Sequence, residues 1–289
     1  PLRTSSAASD VYKRQELRGA APVTQSLRQQ LEEAGANVIV DGILDIEGKD
    51  YIDTGYTEWG ASGLAAVWAE NNTRESIYEA FRRKETFATS GSRIKVRFFG
   101  GYNLEKILEE GDPIKYAYAN ASSMGSDILQ NQNQVPEFMV WAIRDLKRAP
   151  LDRVQIIKGW TELSGKPHEK VYDVACSDGR KANIKTGLCK DSRAKVNLSN
   201  CKISKNFGAD ELKVVWKDPD FNPNLKAFYY VRVLENPTCR WSTWDAIKSG
   251  EKPRGDLPST IQERAWTSPI WYVPDNDGIE VRNILPDDV

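Results

Sequence analysis

The spacing of apolar residues changes near Glu85, and this change most limits what the chain can fold into. Before Glu85, apolar residues recur three or four positions apart, as on one face of a helix. After it, they fall in short segments rich in β-branched and aromatic residues and bounded by Gly, Pro, Asn or Asp. Several such strands joined by polar loops predict a β-sandwich. The predicted strands are 86–89, 93–99, 136–145, 151–160, 170–175, 211–217 and 227–234.

The clearest helix is predicted just before this change. Asn72 and Glu75 have the spacing of a capping box, which satisfies the first backbone N–H groups of a helix. Ile77, Ala80 and Phe81 follow at helical spacing, so we expect them to form a buried stripe.

Charge and composition exclude several classes of protein. The chain has 40 Lys and Arg against 41 Asp and Glu, so it lacks the basic surplus of a nucleic-acid-binding protein. No stretch approaches the roughly 20 apolar residues of a membrane span. His168 is the only histidine, which excludes a hydrolase site built from several His ligands within these residues. We expect His168 to lie exposed in a hairpin connection.

The N-terminal residues 1–15 are polar and lack the apolar run of a signal peptide. We expect them to be a non-native leader from sequence assembly, or a native disordered tail. The first methionine is Met124 and the chain opens with Pro1, which predicts a truncated or processed product.

Four cysteines, Cys176, Cys189, Cys201 and Cys239, lack the close Cys-x-x-Cys spacing of a structural zinc site. The first three lie in a polar stretch between predicted strands, where a disulfide would stabilise the fold by closing a loop. We expect two of these three to bond, which would indicate an oxidising compartment. The alternative is four unpaired thiols in a cytosolic protein, and the sequence does not determine the pairing.

A candidate anion site follows the predicted helix, in the segment ETFATSGSR (85–93). Thr89 and Ser90 lie in a small, glycine-containing turn that offers hydroxyls and backbone N–H groups to an anion. Arg93 offers a planar two-point contact to a phosphate or carboxylate. We therefore predict Thr89, Ser90 and Arg93 as substrate-binding residues, and the alternative is a tight turn followed by a surface arginine. No catalytic residue and no metal ligand is predicted.

The segment DPDFNPN (218–224) has some features of a calcium-binding loop. Asp218, Asp220 and Asn222 alternate as the first ligands of such a loop do, but Pro223 stands where the loop needs glycine. We predict an Asx-Pro turn between two strands instead.

Several long blocks occur in the order found in a known family. GLAAVWAENNTRESIYEAFRRKETFATSGSRIKVRFFGGY (63–102) resembles part of a bacterial family catalogued only as a domain of unknown function. LDRVQIIKGW, EKVYDVACSDGR, VVWKDPDF, AFYYVRVLENPTCRWSTWDA and IQERAWTSPIWY are similar to its C-terminal half, so the resemblance covers residues 22–274. Members of this family resemble the polymerase-and-histidinol-phosphatase (PHP) class of metal-dependent hydrolases.

The resemblance implies a large periplasmic or secreted protein with an N-terminal α/β barrel that holds divalent metal ions by His and Asp ligands. The His-rich blocks of that barrel have no counterpart here, so no metal ligand is carried over and no cofactor is expected in this fragment. The expected fold class is α+β, the truncated end of a metallohydrolase-like α/β barrel followed by a β-sandwich-like domain. The expected domains are a leader (1–15), the last barrel elements with an insertion (16–105) and the β-rich domain (106–289).

Two functional hypotheses follow. In the first, the chain is the C-terminal fragment of a PHP-like hydrolase, inactive by itself, whose partner is the missing N-terminal barrel half. In the second, the β-sandwich is a binding module for a glycan or another polymer, with Trp160, Trp241 and Trp244 as stacking platforms. A purely structural accessory domain is a further alternative.

Overall fold

The computed structural model describes residues 63–131 and 134–275, together with the backbone of three short strands nearer the N terminus. These strands are β1 (Leu2–Ser5), β2 (Ile43–Ile46) and β3 (Lys49–Ile52). Strands β2 and β3 pair with each other in antiparallel fashion. Apart from β1, the leader predicted at residues 1–15 lies outside the described residues.

From residue 63 onward, short strands dominate and helices connect or cover them. The elements are β4 (Leu64–Trp68), α1 (Arg74–Arg82), β5 (Thr86–Thr89), β6 (Lys95–Gly101), a 3-10 helix (Ile107–Glu109), α2 (Pro113–Asn120), β7 (Ser122–Ser123), β8 (Asp127–Leu129), β9 (Glu137–Ile143), β10 (Leu151–Thr161), β11 (Pro167–Cys176), β12 (Val196–Asn197), β13 (Lys202–Ile203), β14 (Glu211–Lys217), β15 (Ala227–Glu235), β16 (Thr238–Cys239), α3 (Trp241–Ser249), β17 (Thr260–Ile261), β18 (Arg264–Thr267) and β19 (Ile270–Val273).

Two sheets of unequal size form a sandwich. The larger has nine strands in the order β1-β4-β5-β18-β15-β10-β11, with β19 also paired to β15 and β8 paired to β19. The smaller has the order β14-β9-β6-β7. The described pairings within both sheets are antiparallel except β8 with β19. Phe98 and Phe138 from the smaller sheet meet Ile156 and Tyr229 from the larger one in a shared core.

The burial of each strand follows its place in the sandwich. Strand β15 alternates buried and half-buried residues along its whole length, as a strand with one face on the core does. Strand β10, in contrast, is buried at most positions because both of its faces are covered. A second core cluster, which includes Phe99, Ile107 and Met139, lies where the 3-10 helix and α2 cover the outer face of the smaller sheet.

The predicted helix near residue 72 is present, but one residue later than its capping box indicated. Thr73 is the N-cap, and its side chain accepts a hydrogen bond from the backbone N–H of Ser76. Of the predicted apolar stripe only Ala80 is fully buried, while Phe81 is 39% exposed. No helix within the described residues is long and apolar enough to span a bilayer.

The expectation of a truncated α/β barrel was wrong. A barrel of that kind needs parallel strands, but β4 and β5 are antiparallel neighbours joined through α1. Strand β5 then pairs with β18, whose residues lie near the end of the described chain. Ala66, Phe87 and Val96 pack in the same core as Tyr229. The expected β-rich character was confirmed, but no strands among the described residues form a barrel.

Candidate functional site

A partly open cavity of about 180 Å³ lies at one end of the sandwich. The loop between β14 and β15 covers it from above, and the ends of β10 and β15 form its floor. The cavity is lined by Lys158, Trp160, Asp220, Phe221, Asn222, Leu225, Ala227 and Tyr229.

The cavity exists because Trp160 has unequal neighbours on its two sides. On β11 its cross-strand partner is His168, and the two rings stack with centroids 5.2 Å apart and an interplanar angle of 13°. On β15 its partner is Ala227, whose single methyl group leaves space beside the indole. His168 was predicted to be exposed in a hairpin loop. It lies in β11 instead, with Nε2 2.6 Å from a Glu162 carboxylate oxygen.

A buried ion pair forms the polar wall of the cavity. The Lys158 Nζ lies 2.6 Å from Asp218 Oδ2, and both side chains are almost fully buried. The same Asp218 oxygen accepts a hydrogen bond from the Tyr229 hydroxyl at 2.7 Å. Burial, reinforced by the negative charge of Asp218, raises the pKa of Tyr229 far above its ordinary value, so this hydroxyl keeps its proton.

The outer rim of the cavity carries a second charged pair. One Asp220 carboxylate oxygen receives hydrogen bonds from Lys170 Nζ and from the Tyr172 hydroxyl. These two donors, Lys170 first, lower the pKa of Asp220 and keep it ionised. Burial and the hydrogen bond to Asp220 raise the pKa of Tyr172. The backbone carbonyl of Asp220 accepts a further bond from Lys158 Nζ at 2.8 Å, which joins the rim to the buried pair.

The loop over the cavity has the shape that its sequence predicted. Asp218 Oδ1 accepts the backbone N–H of Asp220 at 2.9 Å, and Asn222 Oδ1 accepts that of Asn224 at 3.0 Å. These are Asx turns, so the turn interpretation of DPDFNPN was correct. The Tyr272 hydroxyl donates to the Pro223 carbonyl at 3.0 Å and fixes the far side of the loop.

The predicted anion-binding turn lies away from this cavity, between β5 and β6. Thr89 is buried, and its Oγ1 accepts the backbone N–H of Gly91 at 3.2 Å. The Ser90 hydroxyl accepts the backbone N–H of Arg264 on β18 at 2.8 Å. The Thr89 hydroxyl therefore bonds to the backbone of the turn itself, and the Ser90 hydroxyl bonds the turn to the neighbouring strand β18.

Acidic groups surround this turn. Arg93 is exposed, and its backbone N–H donates to an Asp145 carboxylate oxygen at 3.0 Å. The Ser90 hydroxyl donates to the carboxylate of Glu263 on the far side of the turn. Negative charge opposes the binding of an anion, so the structure offers no support for a role of Thr89, Ser90 and Arg93 in substrate binding, which stays a prediction.

The three tryptophans proposed as stacking platforms are not brought together. Trp160 lies opposite Ala227 at the start of β15, whereas Trp241 and Trp244 belong to α3, which follows the other end of that strand. The strand between these ends spans about 26 Å. Trp244 is 41% exposed, and neither tryptophan of α3 lines the cavity.

The cysteines form two disulfides. Cys176 bonds Cys189 with Cα atoms 6.1 Å apart, and Cys201 bonds Cys239 with Cα atoms 5.6 Å apart. The prediction that two of the first three would bond was therefore confirmed. The backbone N–H of Cys189 donates to the buried carboxylate of Asp173 at 2.6 Å, which attaches the first disulfide loop to β11.

Sequence reasoning missed the most buried residues of the cavity, Lys158 and Tyr229. One signal was present, because Lys158 is the only charged residue in the apolar run VQIIKGW. A lysine in a strand buried on both faces needs a partner of opposite charge. That partner is Asp218, which the sequence pattern indicates as a turn residue and does not connect with Lys158.

Fold and site together define a two-sheet β-sandwich protein with a small cavity at one end, which has both aromatic and charged walls. A family model described as "Protein of unknown function (DUF3604)" matches residues 15–274, and the chain belongs to that family. A search of curated proteins found no match, and a search of solved structures found none.

Proposed function

We propose that the sandwich is a ligand-binding module and that the cavity beside Trp160 is its binding site. The observation that carries this proposal is the combination of an indole, a buried lysine and a partly open volume at one place. Binding sites are typically concave, mostly apolar and supplied with a few polar groups that orient the ligand.

The energetics of the Lys158–Asp218 pair support a role other than stability. Both ions lose their hydration on burial, and a buried ion pair often stabilises a fold no better than well-packed apolar residues of the same size. A pair of this kind beside a cavity keeps a charged donor at a fixed position. That is useful for binding, since the donor is already oriented before the ligand arrives.

In the full-length protein we propose that this module acts beside a PHP-like metal-dependent hydrolase in the periplasm or outside the cell. The family resemblance of the sequence blocks supports the hydrolase, and the two disulfides support the oxidising compartment. The described residues do not fit a metal site, because they contain no group of three or more His, Cys, Asp or Glu that could hold an ion. We therefore propose ligand binding as the role of this cavity.

The test is an unbiased ligand screen with a blocked variant. A fragment library and a glycan array would be probed with the whole chain, with Leu225→Trp and with Leu163→Trp. Leu225 lines the cavity mouth, whereas Leu163 is 91% exposed in a hairpin turn and serves as the matched control.

We expect ligands that bind the unmodified chain and Leu163→Trp but not Leu225→Trp. Failure to find any ligand, or equal binding to both variants, would contradict the proposal and favour a purely structural accessory domain.

A further inference from the structure

We infer that the cavity accepts a single neutral, hydroxyl-rich ring, that is, one sugar residue. This inference rests on the proposed binding function and specifies its ligand class. It follows from the size of the cavity, its aromatic wall, the one N–H of Lys158 that its protein partners leave unused, and its balance of charge.

The size of the cavity limits the ligand to one ring. Its volume of about 180 Å³ is well below the roughly 300–1,000 Å³ of sites that enclose drug-sized molecules. The cavity is partly open, so a chain attached to the bound ring can leave through the mouth. An extended groove for several consecutive rings is not part of this site.

The walls suit a ring with apolar faces and polar edges. Trp160 and Phe221 provide aromatic surface, and Leu225 and Ala227 add aliphatic surface. The C–H groups of a sugar face can pack against an indole, while its hydroxyls point outward to polar partners. His168 already covers one face of Trp160, so only the side towards Ala227 receives the ligand.

Lys158 supplies an oriented donor. A lysine ammonium has three N–H bonds, and the described partners use two of them, one to the carboxylate of Asp218 and one to the carbonyl of Asp220. The third has no oxygen acceptor among the described contacts, and a ligand oxygen can accept it beside the Trp160 ring, whose centre lies 5.2 Å from Lys158 Nζ. At the rim, Asn222 accepts a bond through its oxygen, which leaves its amide N–H group to donate as well.

The charges around the cavity cancel. Lys158 is paired with Asp218, and Lys170 is paired with Asp220. A carboxylate or phosphate on the ligand would lie beside two aspartates, and an ammonium would lie beside two lysines. The charged pairs of the site have no net charge, so they attract neither an anionic nor a cationic ligand. The site therefore favours a neutral ligand.

The test is calorimetric titration of the whole chain with D-glucose, D-galactose and D-mannose, followed by the amino-sugar and uronic-acid counterparts of the tightest binder. We expect the neutral sugar to bind at least fivefold more tightly than either charged counterpart. A methyl glycoside and a disaccharide ending in the same sugar would show whether the site takes a free monosaccharide or the terminal residue of a glycan.

Variants separate the contributions of the cavity walls. Trp160→Ala should weaken binding at least tenfold, whereas Trp244→Ala, an exposed tryptophan outside the cavity, should leave it unchanged. Since Lys158→Met alone would leave a buried carboxylate without its cation, the second variant combines it with Asp218→Asn, which removes both charges. The asparagine oxygen can still accept the backbone N–H of Asp220, and its amide N–H group can donate to the Tyr229 hydroxyl. This double variant should fold, as judged by circular dichroism, and bind at least tenfold more weakly.

The possible failures are distinguishable. If the unbiased screen finds ligands that Leu225→Trp blocks but these are charged or are not sugars, the present inference is overturned and the binding function stands. Uronic acids that bind as tightly as neutral sugars, or full binding by Trp160→Ala, overturn it equally. If no ligand depends on the cavity, both proposals fail.

Discussion

The carboxyl of Glu235 allows a quantitative test of how the sandwich is packed. Glu235 ends β15 and is 0% exposed, and neither of its carboxylate oxygens has a well-formed hydrogen bond among the described residues. Burial raises its pKa from an ordinary 4.5 to about 8. The nearby Ser92 hydroxyl counteracts this rise in part, whereas Glu263 and Asp145 add to it.

The sign of the effect on stability follows from proton binding. Between pH 4.5 and about 8 the folded chain keeps the Glu235 proton and the unfolded chain loses it, so the free energy of unfolding falls as pH rises. Each tenfold change in proton affinity corresponds to about 1.4 kcal/mol, so the full loss is about 5 kcal/mol. It is complete once the pH exceeds the folded-state pKa.

The perturbation is Glu235→Gln, which keeps the shape of the neutral acid and cannot ionise. We expect the variant to match the unmodified chain at pH 4.5 and to be more stable by about 4–5 kcal/mol at pH 9. For a domain of this size that difference corresponds to an increase in Tm of roughly 10–20 °C. Urea unfolding at a series of pH values, with disulfides kept oxidised, would measure it.

Glu251→Gln is the matched control, because Glu251 is exposed at the end of α3 and its substitution should leave the pH profile unchanged. The reasoning is refuted if the stabilities of Glu235→Gln and the unmodified chain vary in parallel with pH. Such a result would mean that the Glu235 carboxyl is hydrated or paired in solution.

Two further perturbations test other parts of the sandwich. Replacing both Cys176 and Cys189 by alanine should lower the free energy of unfolding by about 3 kcal/mol, because their disulfide closes a sequence separation of 13 residues; unchanged urea unfolding would contradict this. Gly159→Ala should destabilise by about 1–3 kcal/mol, since its new Cβ would lie 2.2 Å from the Phe228 ring. Gly255→Ala is the control, because its Cβ would meet no atom within 4 Å, and equal melting temperatures for the two variants would show that the ring moves freely.

Strands were predictable from the sequence where the arrangement of apolar residues within the strand itself marks its bounds. The segments predicted at 86–89 and 211–217 have the bounds found in the structure, Thr86–Thr89 and Glu211–Lys217. Those predicted at 151–160 and 227–234 are each one residue short of Leu151–Thr161 and Ala227–Glu235. Strands of this length show their alternation or their apolar run within the segment itself.

Strand partners were not predictable in the same way. Strand β5 lies between β4 and β18, and β18, far away along the chain, is not among the strands that the sequence predicted. The family resemblance suggested a barrel for this part of the chain. Pairing with a distant antiparallel strand placed it in the sandwich instead, because the register depends on which faces can share a core.

The same distinction between local sequence and tertiary pairing applies to the candidate site. The amino-acid sequence determined the Asx turns of DPDFNPN, since these need only a side-chain oxygen and an N–H two residues away. Only the tertiary structure decided that this loop would cover Trp160 and bring Asp218 to Lys158, 60 residues away along the chain. Lys158 lies opposite Tyr229 in the β10–β15 register, and that register fixes the cavity. Local hydrogen bonds act over a few residues, whereas the burial of a charge beside its partner is decided by the packing of the whole sandwich.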